Sequence, residues 1–374
     1  MKTRAAVLYE MALPAPYSES RPLRVEELEL APPGPGEVLV RIRAAGLCHS
    51  DLSVINGSRP RPTPMAIGHE AAGEVVETGN GVSGLEPGDH VVCAFVPSCG
   101  DCAPCREGRP ALCEPGAEAN NQGVLLSGAR RLKKDGTVIN HHLGVSGFAD
   151  YAVIDQHSLI PVDREIPFPQ VALFGCAVMT GVGAVINTAR VPAGSSVAIV
   201  GLGGVGLSAL LGAVVAGARQ IVAVDVNPSK LELAKSLGAT DGVNAAEADA
   251  VQQIRSVTEG GVEYAFETAG VVPAMQTAYR ITRRGGMTVT SGLPHPKDEF
   301  SIPQVTLAAE ERTIKGSYIG SCIPKRDLPR MIQLYKQGRL PVDRLLTDTL
   351  PLEAINEGFD RLARGEAARL VVTM

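Results

Sequence analysis

The pattern of apolar and polar positions changes once along this chain. Up to about residue 175, the apolar runs are short and read as strands. Val38, Val40, Ile42 and Ala44 alternate with Leu39, Arg41 and Arg43 over Glu37–Ala45. Successive side chains of a strand point to opposite faces, so this pattern predicts a strand. Ala71–Thr78 and His90–Phe95 predict two more. Pro32-Pro33-Gly34-Pro35-Gly36 and Pro87-Gly88-Asp89 punctuate them, as turns between short strands should. The first part therefore reads as a compact, irregular β domain. Pro115–His142, long, polar and glycine-containing, reads as an irregular excursion beside the functional site.

Beyond residue 175 strand-like and helix-like runs alternate. Val197–Val200 is followed by a helical run to about Ala216, and Ile221–Val224 by Pro228–Leu237. Glu263–Phe266 is followed by Pro273–Ile281, and then by a strand at Met287–Thr290. This rhythm predicts a parallel sheet covered by helices on both faces. It breaks near residue 325. A helix around Asp327–Gln337 and a last strand, Arg369–Thr373, are expected to return to the first domain. The predicted organisation is residues 1–177 completed by 325–374, with 178–324 as a second domain.

Length and composition agree. A chain of 374 residues is too long for one ordinary core. The net charge of −5 and the absence of a long basic run argue against a nucleic-acid partner. The apolar stretch Ala5–Tyr9 is too short for a signal peptide, so a cytoplasmic location is expected. The one long uncharged run, Val197–Ala218, is long enough to span a membrane. Six glycines interrupt it, and it reads better as a buried strand, turn and helix, with no membrane association.

Gly201-Leu202-Gly203-Gly204-Val205-Gly206 fits G-x-G-x-x-G and lies between an apolar strand and a helical run. That context turns a weak hexapeptide into a dinucleotide-binding (Rossmann) fingerprint. Gly201 allows a tight turn, Gly203 lets the backbone approach a pyrophosphate, and Gly206 lets helix and strand pack closely. Asp225 closes the next strand, at the distance expected for an acid on the ribose hydroxyls. Its charge repels a 2′-phosphate, which favours NAD over NADP. Lys230 is grouped with Asp225 among the cofactor-binding residues.

Four of the eight cysteines crowd into one loop. Cys99, Cys102, Cys105 and Cys113 have the spacing C-x2-C-x2-C-x7-C, which lets a loop wrap one ion tetrahedrally. Four thiolates leave no open position, so zinc here is structural. An iron–sulfur cluster or a disulfide pair is the alternative. Cys48, His69 and Cys176 are further potential ligands, from separate segments. Spacing alone does not connect them, and taken singly Cys48 and Cys176 read more readily as buried apolar thiols and His69 as a satisfied core histidine.

Together these elements resemble the zinc-containing medium-chain alcohol dehydrogenases over essentially the full length. The resemblance rests on Gly46–Asp51, Gly68-His69-Glu70, the four-cysteine loop, Gly175-Cys176, the glycine fingerprint and Asp225, in that order. It is nearer the animal-type and glutathione-dependent branches than the shorter tetrameric one. It implies an α/β architecture, with a GroES-like β-rich catalytic domain and a doubly wound cofactor domain. It also implies a catalytic zinc on Cys48, His69 and Cys176, giving two zinc ions per chain. Asp51 is then expected to orient the His69 ring, Glu70 to approach the metal, and Phe95 to wall the substrate pocket. His49 and Arg369 are expected on the cofactor pyrophosphate.

The reaction implied is reversible hydride transfer between a primary or aromatic alcohol and NAD, with Ser50 accepting the hydroxyl proton. Two departures stand out. Ser53 occupies the place where known relatives carry a relay histidine. Ser58, Arg59, Pro60 and Arg61 follow Gly57, where the glutathione-dependent formaldehyde branch carries acidic residues. That formaldehyde activity is the alternative substrate reading, and Arg59 and Arg61 read as a solvated basic loop. A non-catalytic NADH-binding protein is the reading from another class, disfavoured by the intact ligand set. A homodimer is expected, the tetramer being the family's other form, with Thr313–Ile319 as a candidate edge strand.

Overall fold

Glu37–Gly46 forms as one strand and is the centre of a seven-stranded sheet. It pairs antiparallel with Glu70–Thr78 on one side, Gly46 lying opposite Glu70 and Ala45 opposite Ala71. On its other side Tyr151–Asp155 and Arg369–Thr373 share its edge, with Val371 opposite Gly46. This register has a direct consequence. The chain leaving one strand through Leu47 and Cys48, and the chain entering its neighbour through His69, meet at one end of the sheet. Arg369 begins its strand at that same end.

The structure, a computed structural model, describes all 374 residues and falls into two units. The first comprises Met1–Cys176, Ile323–Ile332 and Leu346–Met374. Besides the central sheet it holds a small closed barrel built from Lys2–Leu8, Leu23–Leu30, Leu132–Lys134, Thr137–His141 and Met65–Ala66. Val7, Leu28, Leu30, Leu39, Leu132, Ile139 and Val153 fill a common core there. Two of those barrel strands, and the helix Glu114–Gln122, come from the stretch expected to be irregular. Pro115–His142 is therefore ordered, and its apolar residues Leu125, Leu132 and Ile139 are buried. The polar residues between them hid a three-residue and a five-residue strand, too short for a clear period.

The second unit comprises Ala177–Cys322 and Gln333–Leu345. Its six strands are all parallel to their neighbours. The spatial order is Asp241–Asn244, Gln220–Asp225, Ser196–Val200, Val262–Glu267, Thr282–Thr290, Thr313–Gly316. Counted along the chain this is 3-2-1-4-5-6, the doubly wound order, with its switch point beside Ser196–Val200. Ala198, Val200, Val222, Val224 and Ala265 pack beneath the helices. One stretch differs from expectation. Residues 333–345 belong to the second unit, so the return after residue 325 is interrupted.

The uncharged run Val197–Ala218 folds as the buried strand Ser196–Val200, a glycine turn and the helix Gly204–Ala216. One helical run, Phe168–Ala189, passes a length and hydropathy test for a membrane span, but 89% of its apolar window is buried inside the protein. It reads as a core helix.

Candidate active site

Cys48 precedes the short helix His49–Ile55, and Asp51 lies in that helix's first turn. Asp51 Oδ2 accepts the Cys48 backbone N–H at 3.2 Å, which fixes the carboxylate. Its other oxygen, Oδ1, takes the Nδ1–H of His69 at 2.9 Å. Both side chains are fully buried. The second ring nitrogen, His69 Nε2, is buried with no hydrogen-bond partner. A buried, unsatisfied imidazole nitrogen is costly unless something binds it. Around it stand the thiols of Cys48 and Cys176, all three ligand atoms lying within 4.8 Å of one another.

Cys176 arrives from a π-helical turn, Phe174–Val178. The wider turn sets its side chain off the ordinary helical spacing, a local choice the sequence pattern does not announce. The two thiols compete for one proton. The contact with Cys176 and the neighbouring His69 hold Cys48 well below the usual thiol range, whereas Cys176 is pushed well above it. Burial disfavours charge on His69, yet Asp51 and Cys48 together raise it. A dication suits this donor set, replacing the shared proton and satisfying Nε2 at once. Two thiolates and one imidazole are a known catalytic zinc set, which leaves one coordination position open.

The surroundings are polar but closed to solvent. Glu70 is buried, and burial pushes its carboxyl up to about 7 against the pull of Arg369. Arg369 Nη2 donates to Glu70 Oε2 at 2.6 Å and Nη1 to the Leu47 carbonyl at 3.0 Å. Arg369, expected on a cofactor pyrophosphate, gives one N–H of each terminal nitrogen to Glu70 and the backbone and keeps further N–H donors. Phe95 meets the His69 ring edge-on, centroids 4.9 Å apart. His49 is exposed and Ser50 partly so. Ser53 Oγ donates to the His49 carbonyl at 2.8 Å, a bond within its own helix.

One neighbour was missed by sequence reasoning. His142 is buried, with Nδ1 3.3 Å from Asp51 Oδ1. Its ring packs edge-on to His69, centroids 5.7 Å apart. Its only sequence signal was the pair His141-His142 in a stretch taken for loop.

The four-cysteine loop closes on itself. The Sγ atoms of Cys99, Cys102, Cys105 and Cys113 lie within 4.8 Å of one another, and none forms a disulfide. Cys99 Sγ accepts N–H bonds from Asp101 and Cys102, and Cys113 Sγ accepts from Cys99 and Gly116. Those donors favour thiolate. The Asp101 and Cys102 amides bring Cys99 down to about 7, while burial pushes Cys105 up to about 12. The protein alone cannot hold four thiolates, and a bound dication lets it do so.

In the second unit Gly201 has φ +96°, and a Cβ on Gly206 would collide with the Gly201 carbonyl. A Cβ on Gly203 would meet nothing within 4 Å, so the space before the helix Gly204–Ala216 is open to a phosphate. Gly204 and Val205 open that helix. Asp225 Oδ2 accepts the Leu202 N–H at 2.7 Å and Oδ1 the Asn227 N–H at 2.9 Å, which fixes the acid at the strand end. Lys230 lies in the next helix, Pro228–Ser236.

A doubly wound nucleotide fold and two zinc-suited ligand sets define a class, the zinc-binding dehydrogenases. Comparison agrees. Residues 34–164 match the alcohol dehydrogenase GroES-like domain, and residues 204–337 the zinc-binding dehydrogenase family. The chain is 38% identical to the alcohol dehydrogenase class-3 of Drosophila melanogaster over 362 residues, 95% of each chain. It is 39% identical to the S-(hydroxymethyl)glutathione dehydrogenase of Photobacterium damsela subsp. piscicida over 376 residues, the whole of both. The crystal structure of benzyl alcohol dehydrogenase from Acinetobacter calcoaceticus superposes with a TM-score of 0.93 at 32% identity, covering 100% of this chain and 99% of that one. The chain therefore belongs to the zinc-dependent medium-chain alcohol dehydrogenase family. It is an enzyme, an oxidoreductase acting on CH–OH groups.

Proposed function

We propose that the protein interconverts primary or aromatic alcohols and their aldehydes with NAD. The observation that carries this reading is the unpartnered His69 Nε2 between two thiols. Three protein ligands, rather than four, leave room for a substrate. When bound there, zinc supplies positive charge that lowers the proton affinity of an adjacent hydroxyl, and NAD supplies the hydride acceptor. The residues' tasks follow. Cys48, His69 and Cys176 hold the ion, and Asp51 keeps His69 in the tautomer that presents Nε2. Ser50 takes the hydroxyl proton and passes it outward. Phe95 positions the substrate's apolar part. His49 and Arg369 contact the cofactor phosphates, the fingerprint glycines with Val205 cradle them, and Asp225 with Lys230 binds the ribose. Cys99, Cys102, Cys105 and Cys113 hold the structural zinc. Ser53 offers no relay imidazole, so the partly exposed Ser50 would hand the proton on towards water, and a bound cofactor would supply a ribose hydroxyl along that way.

The glutathione-dependent alternative is favoured by one observation, the names of the two curated relatives. Against it stand Arg59 and Arg61, where that branch carries acids. A panel of short, long-chain and aromatic alcohols, with formaldehyde plus glutathione, decides between them. NADH formation with benzyl-type or primary alcohols, independent of glutathione, supports the first reading. Strict dependence on glutathione and formaldehyde overturns it. We further propose a cytoplasmic homodimer. Thr313–Gly316 supports it, since that strand ends its sheet and pairs on one side only. Light scattering checks the mass.

A further inference from the structure

Asp51 is approached by two imidazoles, not one. His69 Nδ1 stands 2.9 Å and His142 Nδ1 3.3 Å from the same oxygen, Oδ1. All three side chains are buried, with their ligand-type atoms within 4.8 Å of one another. His142 Nδ1 has no hydrogen-bond partner, and it is sealed from solvent. A buried ring N–H left unpaired is costly, so it is drawn to an acceptor within reach. The only carboxylate described beside it is that of Asp51. The backbone holds the ring in place from both sides. His142 N–H donates to Ser146 Oγ at 3.1 Å, and the His142 carbonyl accepts the N–H groups of Val145 and Ser146. The residue is thus presented by a tight turn at the end of the barrel strand Thr137–His141.

We infer that His142 is a second positioning residue for the metal centre, its Nδ1–H sharing the Asp51 carboxylate oxygen with His69. A carboxylate oxygen has room for two donors. The second donor pins Asp51 from the side that the Cys48 amide does not reach. It also draws electron density from the oxygen that polarises His69, so the His69 ring is held firmly but is a less basic ligand. His142 touches neither substrate nor metal in this role. It acts through Asp51 on His69. The inference rests on the zinc site proposed above, but not on the substrate or on turnover.

The test uses the zinc-loaded enzyme and reads metal, not activity. Zinc release to a chromogenic chelator is followed for the wild type, His142→Phe and His142→Asn, the slow structural ion serving as internal reference. Loss of an outer partner of a metal-ligating histidine typically costs about 10–100-fold in metal affinity. His142→Phe should therefore release the catalytic ion at least about tenfold faster. His142→Asn keeps a donor and should stay within about threefold of wild type, the conservative rescue that mere packing would not give. Equal release from the wild type and His142→Phe overturns the inference, as does equally fast release from both variants. Should the variants not fold, nitrogen-15 histidine spectra of the wild-type holoenzyme decide. A slowly exchanging, downfield Nδ1 proton from each of two histidines supports it. A single such proton, from His69 alone, contradicts it.

Discussion

His69 shows how much one residue's meaning depends on its two ends. One nitrogen is tied to Asp51 and the other is bare in a dry pocket of thiols. The sequence motif Gly68-His69-Glu70 pointed to it only through resemblance, because contact with Cys48 and Cys176 depends on strand register. Ser50 lies two residues after Cys48, in the first turn of the helix His49–Ile55. Ser50→Ala should lower turnover by about 100-fold or more, the usual contribution of a proton-accepting group, while NADH affinity stays unchanged. Steady-state kinetics with fluorescence titration of NADH checks both halves, and unaltered turnover removes the relay. His141 makes a different prediction. Its Nε2 accepts the Arg131 N–H at 3.0 Å, so it must be neutral, and burial lowers it to about 4. In the unfolded chain it titrates near 6.5, so the unfolded state binds the extra proton first as pH falls. Its contribution is complete above pH 6.5 and is lost on descending towards 4. Between pH 7.5 and 5 this amounts to about 2 kcal/mol. Urea unfolding at both pH values should show a smaller loss by that amount in His141→Gln.

Elements differed in how legibly they were written. Four of the six parallel strands of the second unit were legible from short apolar runs, and Thr313–Ile319 as a candidate edge, whereas Asp241–Asn244, with one apolar side chain among polar residues and a glycine, was not; the glycine fingerprint fixed the turn between Ser196–Val200 and Gly204–Ala216. Strand Glu37–Gly46 was legible from alternation, and Glu70–Thr78 as a short run between turn residues. The barrel strands Leu132–Lys134 and Thr137–His141 were not: they pair with each other across Asp135-Gly136, but at three and five residues they show no clear period, and their other partners, Leu23–Leu30 and Met65–Ala66, lie more than 60 residues away. His142 was lost with them. The π turn at Cys176 also left no trace in the pattern. The four-cysteine loop was the most legible element, because its ligands are local. Cys105→Ser removes one of four donors from that loop. It should lower the zinc content from two to about one per chain and reduce the melting temperature, with the catalytic ion retained. Metal analysis beside a thermal melt reads this out, and two ions in the variant would contradict the assignment.

On the scale of the whole molecule, two units carry two kinds of site. The β-rich unit holds both ligand sets, and the doubly wound unit holds the glycine cradle and Asp225. The division was readable from the change of period near residue 175. The excursion of residues 333–345 into the second unit was not, because a helix from Pro324 to Lys336 has one continuous apolar period and crosses the division. Catalysis, on the reading proposed above, depends on the metal that Cys48, His69 and Cys176 would hold, and that dependence is open to experiment. It is tested most directly by NADH formation from a primary or aromatic alcohol before and after selective removal of the faster-exchanging zinc. Activity should fall with that one ion and return when one equivalent is restored, while NADH binding persists throughout. Full activity in protein from which that ion has been removed would contradict it.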